Sequence, residues 1–265
     1  MTGRKGEPAI DRWLSQMTPE QLAQAEALPL RRDMLTLLTY LRDNKVTTTQ
    51  VAAHLPLKAV REITERFVNP PALERQIGGT VYPLRSEKDI WPLYFLHILA
   101  DGNGLISGGP ARRLRLTAAG EQFLMVIPPV QVWSMLSTWW QRVNWLVAFP
   151  VIGMGDRLPR GFQSAVLHAL LALPVDQPVS FDRFANGLMK TTGYRWSKPD
   201  LEQAEFMMRS GIRRIVIDIL DDFECVALTY REEPLGAGTI QQLDTFSVTP
   251  FGRGLLKAVA EVWQV

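Results

Sequence analysis

The residues able to do chemistry in this chain are few and scattered. There are three histidines, His54, His97 and His168, and a single cysteine, Cys225. No histidine is paired with a second His or with a Cys at the spacing of a metal motif, and each sits in a stretch expected to be helical. A packed or surface imidazole is the expectation for all three. One cysteine excludes an internal disulfide and a thiolate cluster, and Cys225 opens an apolar stretch that reads as a strand, so it is expected to be a small core residue. Asp218, Asp221, Asp222 and Glu224 form an acidic group. Paired carboxylates could hold a divalent ion, but a solvated helix end is the preferred reading, although acid at that end opposes the helix dipole. The chain has no Gly-rich loop followed by Lys-Ser/Thr, no G-x-S-x-G and no H-E-x-x-H. Gly102-x-Gly104 lacks a third glycine and reads as a turn. The expectation is a protein that is not an enzyme, with no catalytic residue, metal site or cofactor.

The elements that would position any site divide into two halves. The chain has 265 residues, 46% hydrophobic and 21% charged, enough for two cores of the usual domain size. No run approaches the roughly 18 apolar residues of a membrane span. The start has no apolar run after its basic residues, so it is not a secretory signal, and a cytoplasmic location without membrane contact is expected. Net charge is +2 overall. Residues 1–126 carry 16 Lys/Arg and 13 Asp/Glu, against 13 and 14 in 127–265, so the first half is the better candidate for a polyanion.

The pattern predicts an N-terminal helical extension over 1–27, with Thr18-Pro19-Glu20-Gln21 as a capping-box start. In 28–127, helices are predicted at Leu30–Leu41, Thr49–Leu55 and Pro56–Phe67, then an extended pair around Gly78-Gly79 and a helix over Lys88–Ala100. A hairpin follows, with strands at Leu105-Ile106 and Arg113–Thr117. Residues 128–160 hold four of the eight tryptophans, Trp133, Trp139, Trp140 and Trp145. That segment is expected to be a connecting helix and linker packed between two modules. In 161–265 the order repeats: helices from Phe162, Ser180 and Pro199, strands over Glu224–Tyr230 and Thr245–Thr249, and a closing helix from Pro250.

Both halves end alike. Leu114-Arg115-Leu116-Thr117-Ala118-Ala119-Gly120 and Phe246-Ser247-Val248-Thr249-Pro250-Phe251-Gly252 align Thr117 with Thr249, Gly120 with Gly252 and, further on, Leu124 with Leu256. An alternating strand runs into a Thr able to cap a helix, and a glycine three residues on lets that helix lie against the hairpin. This ending resembles the last strand and helix of bacterial winged-helix (helix-turn-helix) proteins, over roughly 28–126 and 161–260. The segment Leu55–Glu62 also resembles parts of uncharacterised bacterial proteins, a likeness that brings no activity with it. The fold expected is mainly α with small β-hairpins (α+β), as tandem winged-helix-like domains joined by a Trp-rich helix. Modules of this kind are often DNA binders that place a third helix in the major groove; many others bind protein.

On that resemblance, Pro56–Phe67 would be the groove helix. Its outward positions mix Lys58 and Arg61 with Glu62 and Glu65. Arg66 adds a cation, Arg112, Arg113 and Arg115 lie on the wing, and Arg31, Arg32, Arg42 and Lys45 could add phosphate contacts. Two readings stand. The first is a DNA-binding or transcription-associated protein contacting double-stranded DNA through Lys58, Arg61, Arg66, Arg112, Arg113 and Arg115. The second is a scaffold that binds protein, or itself, through the Trp-rich helix and the second domain. The helix from Asp200 to Leu220 mixes acids with Arg209, Arg213 and Arg214 around an apolar middle, which suits packing better than a groove.

Overall fold

The first element, α1 (Glu7–Gln16), does not belong with the helix that follows it. In the computed structural model, which describes residues 7–77, 79–148, 158–194, 201–235 and 238–263, the chain forms two units. One comprises residues 18–143; the other joins residues 1–17 to 144–265. The first break falls inside the stretch expected to be one N-terminal extension, and the second falls just after the Trp-rich helix. That helix is therefore part of the first unit rather than a connector. Both units are mainly helical, with small antiparallel sheets.

The unit of residues 18–143 opens with α2 (Pro19–Ala27). Thr18 caps it: its hydroxyl accepts from Gln21 N–H while the Gln21 side chain accepts from Thr18 N–H, the reciprocal arrangement its sequence predicts. Next come α3 (Pro29–Asp43), β1 (Val46–Thr47) and α4 (Leu57–Thr64). A hairpin of β2 (Glu74–Ile77) and β3 (Thr80–Pro83) and one 3-10 turn, Glu87–Asp89, lead into α5 (Trp91–Gly102). Then follow β4 (Ile106–Ser107), β5 (Arg113–Leu116), α6 (Ala118–Met125) and α7 (Pro128–Gln141). The strand order is β1-β5-β4, with β1 and β4 both antiparallel to β5. Leu37 and Leu38 of α3, Leu93, Phe95 and Leu96 of α5, and Trp139 and Trp140 of α7 are fully buried. Phe95 meets Trp139 edge-on at 5.4 Å, an offset geometry that adds to area burial.

The helix expected over Thr49–Leu55 is a turn instead. Thr49 N–H donates to the His54 carbonyl at 2.8 Å, and His54 N–H donates back to the Thr49 hydroxyl at 3.0 Å. Leu55 N–H donates to the buried Glu87 carboxylate at 2.7 Å. These groups are satisfied without helical bonds, Ala53 sits at φ +54°, and Val51 is 93% exposed. The consequence is a change of count: α4 is the second helix of the core, and the third, immediately before the hairpin, is α5.

The second unit begins with α1 and resumes at α8 (Trp145–Ala148). It continues through α9 (Phe162–Ala172), β6 (Val179–Ser180) and α10 (Phe181–Thr192). The long helix expected from Pro199 is α11 (Leu201–Ile212), a π-helical stretch at Arg213–Ile217 and α12 (Asp218–Asp222); Pro199 itself lies outside the described residues. A hairpin of β7 (Val226–Leu235) and β8 (Gly238–Val248) precedes α13 (Pro250–Trp263). Its strand order is β6-β8-β7, again with the short early strand beside the last one. Both strands are longer than the alternation in the sequence suggests, because the outer part of the hairpin alternates charged and apolar residues only loosely. Trp13 of α1 packs against Phe251 of α13, ring centres 6.1 Å apart, and Arg12 reaches Glu261 at 3.2 Å.

The repeated ending is the same in three dimensions. Thr117 N–H donates to the Leu105 carbonyl and Thr249 N–H to the Cys225 carbonyl, each at 3.0 Å. Each Thr hydroxyl donates to the carbonyl one residue earlier, Gly104 at 2.7 Å and Glu224 at 2.9 Å. Each hydroxyl also accepts from the glycine N–H three residues on, at 3.1 and 2.9 Å. A Cβ on Gly120 would lie 2.2 Å from the Leu105 oxygen, and one on Gly252 2.1 Å from the Cys225 oxygen. No side chain fits there, which explains both glycines.

Candidate nucleic-acid interface

Helix α4 buries Ala59, Val60 and Ile63 and turns Lys58 and Arg61 to solvent, with Arg66 exposed just past its end. The outer face is open: α7 packs on α2 and α5, and the Lys58 side chain is 86% exposed. These cations are partly engaged at home. Lys58 pairs with Glu62 one turn on at 3.8 Å. Glu62 also accepts from the Tyr40 hydroxyl, and the Arg66 guanidinium lies 5.7 Å from the Tyr40 ring centre. Burial, together with Glu62, pushes the Tyr40 phenol up to about 12, so it stays a donor. Arg61 is exposed and has no ion pair among the described residues.

The hairpin presents the other three predicted cations. Leu114 points into the core, so Arg113 and Arg115 face out by strand alternation, beside exposed Arg112. The turn below them is fixed. The Thr48 hydroxyl donates to the Gly109 and Arg112 carbonyls, and Ala111 N–H donates to the Thr49 carbonyl at 3.1 Å. None of the three arginines takes part in an ion pair among the described residues, unlike Arg42, which is paired with Asp43 at 3.0 Å. Among the described residues, no hydrogen bond or ion pair joins the α4 cations to those of the hairpin.

No family model, curated protein or solved structure matches the chain. The functional reading therefore rests on geometry. No helix among the described residues is long and apolar enough to cross a membrane.

The third helix changes what the site can do. The strongest base-edge contacts are bidentate ones from Arg, Lys, Asn and Gln. Between its ends α5 shows only Tyr94, His97 and Ile98, each partly buried, beside exposed Pro92, and Asp101 near its end, with no Lys or Arg along its length. Of the arginines on the corresponding helix of the other unit, Arg214 is exposed without an ion pair among the described residues, and the other two are engaged. Arg209 meets Asp182 at 3.5 Å and Glu205 at 3.4 Å, and Arg213 meets Asp218 at 3.3 Å while lying over Tyr230. Exposed cations without an ion pair among the described residues lie on α4, at Arg61, and on the β4–β5 hairpin, at Arg112, Arg113 and Arg115.

A second feature was not visible in the sequence. His54, Tyr94, His97 and Asp101 line a cleft of about 350 Å³ beside the turn at Gly108 and Gly109. Behind it, the fully buried Glu87 carboxylate receives Leu55 N–H through one oxygen and His97 Nδ1 at 2.7 Å through the other. Burial alone would depress His97, but the hydrogen bond and charge of Glu87, with Asp101 beyond, outweigh it and raise its pKa. An imidazole held by a carboxylate is half of a general-base arrangement. The lining holds no serine, threonine, cysteine or lysine to activate, so the pair ties the 3-10 turn, α5 and the chain at Leu55 together. His168 is exposed on α9. Cys225 is fully buried, and burial followed by Glu224 pushes its thiol far up, the opposite of an activated nucleophile. No group of three His, Cys, Asp or Glu among the described residues could hold a metal. Burial first, then the neighbouring acids, raises Asp221 (Asp218 and Glu224) and Asp222 (Asp221 and Asp218), while Asp218 is tied to Arg213.

Proposed function

We propose that the chain is a non-enzymatic, DNA-associated protein built from two winged-helix modules, in which the unit of residues 18–143 contacts duplex DNA through phosphates. The observation that carries this reading is the cluster of exposed, unpaired arginines on a rigidly tied wing, Arg112, Arg113 and Arg115, with Arg61 on α4 as a further free cation. Phosphate contacts position a protein without reading sequence. With no base-reading side chain on α5, binding should be strongly salt-dependent and weakly sequence-selective. The reading replaces Pro56–Phe67 as groove helix: α4 is the second helix of its core and serves as a flank.

The test is binding of a random-sequence duplex to the whole chain across a salt series. Replacing Arg112, Arg113 and Arg115 together by Ala should weaken binding at about 50 mM salt and lower the slope of log K against log salt by about 3, near 0.9 per lost contact. Absence of duplex binding by the unaltered protein at that salt overturns the reading. A protein-docking role for the second unit has one observation in its favour. Phe206, 62% exposed, and Ile240, 43% exposed, line one cleft of about 410 Å³ between α11 and the β7–β8 hairpin. Exposed apolar side chains in a cleft rimmed by charge mark interaction surfaces.

A further inference from the structure

The first turn of α3 carries Arg31 and Arg32, has no acidic residue and has no side-chain cap, because Leu28 occupies the N-cap position. This is the wrong charge for that end of a helix, where the dipole already places positive potential. The anomaly coincides with a concavity. Arg31, Arg32 and Arg66 line an open hollow of about 920 Å³, with Glu26 as its acidic member.

Two buried polar groups organise these cations. Gln131, 1% exposed, accepts from Arg31 Nε and donates to the Phe123 carbonyl. Arg31 also donates to the Glu26 carbonyl at 2.7 Å. Its fork is thus held in one orientation from behind. Asp33, buried beneath Arg32, accepts from Val68 N–H at 2.7 Å and fastens the turn after α4 to α3. That bond places Arg66 across the hollow. Burial lowers the pKa of Arg31, Glu26 opposes the lowering and Arg32 adds to it. Arg32 is exposed and has no ion pair among the described residues.

We propose that this hollow is a phosphate-binding site, formed by the start of α3 and by Arg31, Arg32 and Arg66, and distinct from the wing. Three arginines lining one hollow beside a helix start, two of them exposed, suit a tetrahedral oxyanion. The phosphate could belong to a nucleic-acid backbone, in which case the site extends the interface proposed above, or to a free phosphorylated compound.

Titration calorimetry with tripolyphosphate at about 50 mM salt tests the proposal on the whole chain. The unaltered protein and an R112Q/R113Q/R115Q variant should bind alike, and R32Q/R66Q should bind at least about tenfold more weakly. Both of its replaced side chains are exposed and only the Arg66–Tyr40 contact is lost, so its thermal unfolding should stay within a few degrees of the unaltered protein. Equal binding by R32Q/R66Q, or none by the unaltered protein, overturns the proposal. So does poly-glutamate that competes as well as tripolyphosphate, since the surface would then be a general acid-binding one. A duplex arm separates the sources. Weaker duplex binding by R32Q/R66Q assigns the phosphate to nucleic acid, and unchanged duplex binding with weakened tripolyphosphate binding assigns it to a free compound. The wing variant reports on DNA association alone, so failure of that reading leaves the tripolyphosphate result standing.

Discussion

Replacing Gly252 with Ala should destabilise the protein by about 2 kcal/mol, whereas the same change at Gly187 should stabilise it. In both places glycine sits in a helix, where Ala is favoured by about 1 kcal/mol. At Gly187, on the exposed side of α10, an added methyl meets nothing within 4 Å, so that gain is kept, at about 0.5–1 kcal/mol. At Gly252 the methyl would lie 2.1 Å from the Cys225 oxygen and 2.4 Å from its Cα. Ordinary contact begins near 3.5 Å, so the start of α13 must withdraw by about 1 Å. Overpacking of this kind costs about 1–3 kcal/mol. The withdrawal also loosens the Thr249 cap, which contributes about 1 kcal/mol. The penalties exceed the propensity gain by about 2 kcal/mol. Gly120 has the same surroundings, 2.2 Å from the Leu105 oxygen, and should behave alike in the other unit. Urea unfolding followed by circular dichroism is the assay. With a slope near 2 kcal/mol per molar, G252A and G120A should each lower the midpoint of the affected unit by about 1 M, and G187A should raise it by a few tenths. A G252A midpoint equal to or above the unaltered value would refute the close-approach argument, because propensity alone would then account for all three variants.

Two further outcomes follow from the same bonds. Glu224 stands where the first unit has Gly104, and both have positive φ, +53° and +70°; because that region costs an L-residue about 1–2 kcal/mol, Glu224→Gly should raise the urea midpoint, and a lowered one would show that the carboxylate contributes more than the strain. The Glu87–His97 pair should make stability pH-dependent. His97 is raised above its unfolded value near 6.5, so its contribution is complete below pH about 6.5 and is lost as pH rises through the higher folded value. The gap in midpoint between the unaltered protein and Glu87→Gln should therefore be widest near pH 5.5 and shrink towards pH 8.5, and a gap that widens instead would mean that the imidazole is not charged in the folded state.

The parts of this fold that could be read from sequence are those whose partners are near in the chain. The Thr18 capping box closes over three residues, and Thr117-x-x-Gly120 and Thr249-x-x-Gly252 do the same. Each declares its geometry wherever it occurs. The turn at Thr49–Leu55 is the opposite case. Two cap-like threonines followed by apolar residues look like a short helix, and what unmakes it is a carboxylate 32 residues away, Glu87, which takes Leu55 N–H. Nothing local to either segment announces that bond. One helix miscounted in this way makes α4, rather than α5, look like the third helix before the hairpin.

The tryptophans show a similar limit from the side of packing. Four large rings in 128–150 require burial, but the requirement does not name the surface that supplies it. Trp139 found Phe95 of α5 within its own unit, and the interval between modules was not needed. Trp13, which looked like part of an N-terminal extension, is buried against Phe251 some 240 residues on, and a Cβ at Gly254 would come 2.7 Å from its Nε1. Composition sets how much apolar surface must be hidden; topology chooses where. For charge the order is reversed. Whether an arginine is free for a partner depends on neighbours that only the fold assembles. Arg209 and Arg213 are neutralised by Asp182 and Asp218, while Arg112, Arg113 and Arg115, equally ordinary in sequence, are left without an ion pair on a wing tied down by Thr48. A basic surface here is what remains after the acids have chosen their partners, and that remainder, rather than net charge, is the quantity a salt titration would measure.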